Sequence, residues 1–359
     1  FETPIVRKGP NISLIPYVSP GLSRTPQFNN QNKFNTKTNL GFGGDEKIGI
    51  GSSLNVDLTF NPDFSQVEVD NQVTNLDRFE ILFPEKRQFF LENGDLFANF
   101  GTDGARPFFS RRIGVTRDPN TGQNIQNKID AGLRLSGKVH DDLRIGVLQM
   151  RTAAIDSINQ PANNFSVIAL QQKLFHRSSL GVIFTNKDVV GTKDFNRVGG
   201  VEYNIASKNN AVNGKVFYMQ SFDPIKTRDN ASFGTNIIYN TRTFETRQRL
   251  QYIGENFNPE VGYLRRAGFT RLAGDAQLKY YPTSGKINRH GPMVDYDFTY
   301  FPERGMTDYD LNLMYNVLYK NFSQLTFRFR RDYTKLTDDF DPTNTGGEKL
   351  KSNEAFVYY

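Results

Sequence analysis

Cysteine is absent from the 359 residues, which rules out a disulfide framework, a thiol nucleophile and a thiolate metal site. Long apolar runs are missing as well. No stretch approaches the ~18 consecutive apolar residues that a membrane-crossing helix needs, so a helical membrane protein is excluded, although a β-barrel leaves no such run. A basic tract is also lacking. The net charge is +6, but 44 Lys and Arg are scattered among 38 acidic residues, without the clustered footprint of a nucleic-acid binder. Histidine is scarce: His140, His176 and His290 each lie beside polar or charged residues in expected turns and form neither a Ser–His relay nor an imidazole metal site. No charged-then-apolar leader precedes Phe1, which leads us to expect a mature or partial chain.

What the chain does have is an aromatic load out of proportion to its polarity. It carries 31 Phe and 16 Tyr while only 37% of residues are hydrophobic, and its mean hydropathy is −0.56. That mixture suits a polar lumen inside an aromatic-girdled apolar wall. Successive side chains of a strand point to opposite faces, so such a wall requires a period of two. Leu54, Val56, Leu58 and Phe60 alternate with Asn55, Asp57 and Thr59, and Ala131, Leu133 and Leu135 alternate with Gly132, Arg134 and Ser136. The rhythm returns at Phe244–Tyr252, Val294–Tyr300, Tyr309–Tyr319 and Leu325–Phe329, the last two joined by a hairpin around Asn321. Turn clusters at Asp118–Gly122 and Asp341–Gly347 separate segments of this kind. A soluble β-sandwich or propeller would alternate too, but its strands are usually about 5–6 residues, and several runs here reach ten or more with an aromatic near one end. The expected fold is all-β: an antiparallel transmembrane β-barrel of roughly 14–18 strands spanning 1–359.

Alternation stops between 61 and 114, an interruption far longer than an ordinary hairpin connection. It opens Asn61-Pro62-Asp63-Phe64-Ser65-Gln66-Val67-Glu68, continues Arg78-Phe79-Glu80-Ile81-Leu82-Phe83-Pro84-Glu85-Lys86-Arg87-Gln88-Phe89-Phe90-Leu91-Glu92, and closes Ser110-Arg111-Arg112-Ile113-Gly114. These three segments, in this order, resemble a family of Bacteroidota outer-membrane barrels designated domain of unknown function 5916. One departure is Gln88, where the family often has Pro. The resemblance implies an N-terminal β-sandwich similar to a carbohydrate-binding module, which this chain lacks, and strands continuing past Tyr359, so that the barrel would be truncated at both ends.

Physically, Thr74 and Asp77 form a weak capping box for a short helix ended by Pro84, and a second helix is expected over Lys86–Asn93, stopped by Gly94. We expect this insertion to fold into the lumen as a plug. Phe83, Phe89 and Phe90 would pack together, while Glu85, Lys86, Arg87, Arg111 and Arg112 would meet the charged inward residues of the strands, with Arg78, Glu80 and Glu92 in the same plug and ion network.

The carboxylates Glu80, Glu85 and Glu92 could in principle supply the acid and base of glycoside hydrolysis. An ion network with Lys86, Arg87, Arg111 and Arg112 is the stronger reading, and the chain is expected not to be an enzyme. Asp63, Glu68 and Asp70 offer oxygen ligands and make a candidate cation site, but they lack EF-hand spacing and read better as a solvated acidic turn. Gly41, Gly43 and Gly44 lack the following Lys-Ser or Lys-Thr of a phosphate loop and read as strand and turn glycines. No cofactor is expected. The partners would be outer-membrane lipid and lipopolysaccharide, with other envelope proteins. The function expected is solute passage or service as a membrane subunit of a larger assembly. The alternatives are a sealed scaffold holding a surface glycan or partner protein on its loops, and a glycan-active enzyme.

Overall fold

Period-two alternation becomes strand wherever it was read. The structure is a computed structural model describing residues 11–27, 30–62, 83–120, 122, 124–336, 339 and 355–358. Its main element is one sheet of sixteen strands: β1 Asn11–Gln27, β2 Asn30–Ile50, β3 Leu54–Phe60, β4 Ile129–His140, β5 Leu143–Thr152, β6 Asn163–Leu174, β7 Ser178–Val189 and β8 Phe195–Ala206, followed by β9 Val212–Phe222, β10 Ala231–Asn240, β11 Phe244–Ile253, β12 Phe269–Leu278, β13 Ile287–Phe301, β14 Gly305–Tyr319, β15 Gln324–Lys335 and β16 Ala355–Tyr358. Every strand pairs antiparallel with its neighbours in sequence, so the sheet is a continuous meander. The count falls within the expected range. Closure does not appear: among the described residues β1 and β16 are not paired with each other.

The sheet's two faces are sharply different. On one, Val182, Val201, Tyr218, Phe233 and Tyr252 lie directly opposite one another across five strands. From Leu250 on the same β11, Leu272, Phe298, Tyr309 and Tyr333 continue this face across the next four. Much of this face is bare: Leu313 is 48% exposed, Phe329 56% and Phe327 62%. The other face carries the polar half of the alternation, together with a block of apolar residues, Leu148, Met150, Val167, Ala169 and Ile183, that are fully buried. What buries them is the chain between β3 and β4.

The interruption is longer than 61–114. The main sheet resumes only at Ile129, after a small hairpin of Val115–Arg117 with Asn124–Gln126. The Asp118–Gly122 turn therefore closes this side hairpin, with the Gly122 amide donating to the Asp118 carbonyl, rather than joining two wall strands. His290 corrects another expectation. It stands within β13 rather than in a turn, with its Nδ1 2.7 Å from the Tyr315 hydroxyl and its ring beside Tyr280 and Tyr315.

Candidate functional site

Between β3 and β4, residues 83–114 lie across the polar face. Two single-turn α-helices form there, α1 Gln88–Leu91 and α2 Asp95–Ala98, with a 3-10 turn at Ser110–Arg112. The single helix expected over 86–93 is thus shorter, and a second follows Gly94. Neither has a side-chain cap, so their position depends on packing and not on helix propensity. Phe90, Leu96, Phe97, Phe100, Phe108 and Ile113 cover the apolar block on β5–β7. The rings approach so closely because glycine stands beneath them: a Cβ on Gly146 would lie 2.5 Å from the Phe97 ring, and one on Gly181 2.9 Å from that of Phe100. Gly146→Val should therefore overpack this contact, costing about 1–3 kcal/mol in urea unfolding and exposing 83–114 to protease.

Polar contacts then tie the segment to strand after strand. Glu92 accepts from Lys47 Nζ on β2 at 2.6 Å and from Asn55 Nδ2 on β3 at 3.2 Å. Arg134 on β4 donates to the Glu92 carbonyl at 2.7 Å and to that of Phe89, stacks over the Phe89 ring, and pairs with Asp57 at 2.8 Å. Asp95 pairs with Arg144 on β5 at 2.7 Å. The Gly101 amide donates to the buried Glu202 carboxylate on β8 at 3.0 Å, and Lys215 on β9 bridges that carboxylate and the Asn99 carbonyl. Gln251 on β11 reaches the Thr102 hydroxyl at 2.6 Å. Residues 92–102 thus touch strands from β2 to β11.

A second inward segment, the 254–268 connection between β11 and β12, holds it from the far side. Tyr263 and Leu264 pair antiparallel with Arg106 and Ala105, the Phe109 amide donates to the Val261 carbonyl, and Arg112 Nε donates to the Gly262 carbonyl. Asn196 on β8 fixes this connection in turn, donating to the Asn258 carbonyl and accepting from the Glu260 amide.

The expected site residues divide accordingly. Glu92, expected to pair with the cations of its own segment, instead meets Lys47 and Arg134 on the strands. Glu85 and Arg87 pair with each other at 2.7 Å, a pairing the ion-network reading contains, rather than with strand charges, while Arg87 also donates to the carbonyls of Ser110 and Ile113, and Arg111 donates to that of Pro84. These residues brace the segment internally, because the wall they were expected to meet is apolar at its centre. The Lys86 amide donates to Glu85, and Phe89 packs edge-on to Phe90 as expected, the pair also joining the apolar cluster on the sheet. Asp63, Glu68, Asp70, Thr74, Asp77, Arg78 and Glu80 lie outside the described residues, as does the 341–347 turn. Sequence reasoning missed Asp95, Gly101 and the strand partners Lys47, Asp57, Arg134, Arg144, Glu202 and Lys215. Charged residues on the polar side of an alternating strand were the available signal. It also missed 254–268, whose Asn-Pro and three glycines mark a long connection.

Burial raises the proton affinity of Glu85, but the Arg87 hydrogen bond and charge, with bonds involving Ser110 and the Arg87 amide, outweigh it and hold this carboxyl below its ordinary value. A carboxylate so held is ill suited to act as a general acid. Because the folded value is depressed, the stability Glu85 contributes is present above the unfolded value of ~4.3 and lost as pH falls through the folded one. Proteolysis of 83–114 should accordingly rise below about pH 4, and Glu85→Gln should flatten that dependence. Among the described residues no cluster of His, Asp and Glu could hold a metal ion.

A search of curated proteins finds no match. A family model does match, over residues 10–358, essentially the whole described sheet with its inward segment. The chain belongs to the family described as domain of unknown function (DUF5916).

Proposed function

We propose that the sheet closes into a transmembrane β-barrel of a bacterial outer membrane, in which residues 83–114 narrow a passage for small hydrophilic solutes, with no reaction of its own. The observation that carries this reading is the inverted distribution of polarity. A soluble sheet buries its apolar face, whereas here the apolar face is the bare one and the polar face is the one its own chain covers. Bare aromatic residues on that face, among them Phe60, Phe222, Tyr239, Tyr300 and Phe327, supply the rings of an interfacial girdle.

Passage rather than a sealed scaffold is favoured by the far side of the sheet. There the polar face keeps water-accessible ion pairs, Arg271 with Asp297 and Arg330 with Asp310, where the inward segment does not cover it. A barrel of about sixteen strands leaves an aqueous channel unless it is filled.

Heat-modifiable migration in detergent tests the barrel, and conductance in planar bilayers tests the passage. Replacing 83–114 with a short Gly-Ser bridge should raise single-channel conductance severalfold, and Glu92→Gln with Asp95→Asn should increase open-state noise. A protein that conducts nothing with or without the segment is a scaffold, and one that stays monomeric without detergent is no membrane barrel.

A further inference from the structure

The connections at one end of the wall, 51–53, 141–142, 175–177, 207–211, 241–243, 279–286 and 320–323, are short, whereas those at the other end include 61–128, 254–268 and 336–354. Two of the short turns hold an unusual residue. Phe175 and Phe322 have φ of +53° and +66°, and each is 84% exposed. Every other non-glycine residue at positive φ among the described residues is Asn or Asp, the types that adopt this conformation most readily. Asn321 stands next to Phe322 and does not take the position. A strained backbone that holds a bare aromatic ring outward calls for an apolar medium to receive the ring. The two turns lie eight strands apart in the sixteen-strand meander, so closure of the wall puts them on opposite sides of one end. A protein partner would have to encircle that end to touch both, whereas a single lipid leaflet reaches both at once. Strand height agrees. β6 and β7 have 12 residues each, which at ~3.3 Å per residue and a tilt of ~40° stand about 30 Å high, bringing the turns to the headgroup level of a ~25 Å apolar band.

The charges around Phe322 say which lipid. The connections 241–243, 279–286 and 320–323 follow one another along this end and contain no Asp or Glu. The Lys320 amide donates to the Lys286 carbonyl at 2.8 Å, and the Arg242 guanidinium lies over the Tyr281 ring at 5.2 Å. Arg242, Lys286, Arg289 and Lys320 thus form one exposed basic edge beside the exposed rings of Tyr280 and Tyr281. Lys279 is held by Glu245, but these four have no carboxylate partner among the described residues. We propose that this end of the wall is set in anionic phospholipid, with Phe175 and Phe322 entering the acyl boundary while Arg242, Lys286, Arg289 and Lys320 bind headgroup phosphates. The proposal rests on the barrel reading and names the lipid that the barrel holds. Short turns place the site in the periplasmic leaflet.

The chain has no tryptophan, so Phe322→Trp and Phe175→Trp each introduce a single fluorophore. The full chain carrying either change is reconstituted in phosphatidylcholine vesicles containing brominated phosphatidylglycerol, and in the converse mixture with bromine on the phosphatidylcholine. Both fluorophores should be quenched, and in Phe322→Trp the quenching should report a relative affinity for phosphatidylglycerol about fivefold above that for phosphatidylcholine. Lys286→Gln with Lys320→Gln should bring that ratio close to one while heat-modifiable migration is unchanged. Equal quenching by the two lipids, a ratio that the lysine replacements leave as it was, or one that millimolar inorganic phosphate abolishes would overturn the proposal. So would fluorophores that stay unquenched in a heat-modifiable, conducting protein, an outcome that keeps the barrel and assigns the two rings to a protein partner. A chain that enters no vesicle and shows no heat-modifiable band overturns both readings.

Discussion

Replacing Arg134 with Met should destabilise the protein by about 3–5 kcal/mol and release the inward segment, because it strands a buried carboxylate. The Arg134 side chain is 3% exposed and serves four groups at once: Asp57, Glu92 and the carbonyls of Phe89 and Glu92. Asp57 is itself buried, and no other hydrogen-bonded partner of its carboxylate is seen among the described residues. Methionine fills a similar volume, so the loss measured is charge and hydrogen bonding rather than packing. Urea unfolding of the refolded protein gives the magnitude, and protease sensitivity of 83–114 gives the location. The paired variant Arg134→Met with Asp57→Leu separates two explanations. If the cost is the stranded charge, the double variant recovers much of it, since a buried ion pair is often replaceable by apolar residues. If instead the two carbonyls of α1 dominate, the double variant stays as unstable as the single one.

Why Arg134 was invisible beforehand, although β4 itself was read correctly, follows from what a period of two contains. Alternation tells which residues share a face, so Leu133 and Leu135 separate cleanly from Arg134 and Ser136, and the sheet emerges strand by strand. It does not tell which of sixteen polar stripes the inward segment will reach, since that depends on curvature and on register across non-neighbouring strands. Glu92 was named because it sits in an unusual motif. Its partners Lys47 and Arg134, 45 and 42 residues away, sit in ordinary ones. The Phe-rich run was read as packing on itself, because nothing local shows that Gly146 and Gly181 clear space for rings on the wall. The second inward segment was lost for a related reason: its two-residue ladder with Ala105 and Arg106 is too short to leave a periodic trace.

The same alternation yields the expectation that discriminates best between a membrane wall and a soluble sheet. Leu313 sits near the middle of β14, is 48% exposed, and faces Phe329 and Val294 on the neighbouring strands. In water, an exposed leucine changed to arginine alters stability by only about ±0.5 kcal/mol and improves solubility. In a bilayer the same position lies close to the midplane, where arginine on the lipid face of a barrel costs about 2–4 kcal/mol, falling to ~0–1 near the interfaces. Leu313→Arg should therefore shift the urea midpoint for folding into lipid vesicles strongly. Tyr300→Arg, at the end of β13 and 48% exposed like Leu313, should shift it weakly. With equal fractional exposure a soluble sheet treats both as surface changes within about ±0.5 kcal/mol, so a large difference between the two variants points to depth in an apolar slab. Two small, equal shifts would remove the bilayer from the account of this fold. A large shift at Leu313 with a small one at Tyr300 would fix the height of the wall relative to the membrane, with the middle of β14 at the bilayer centre.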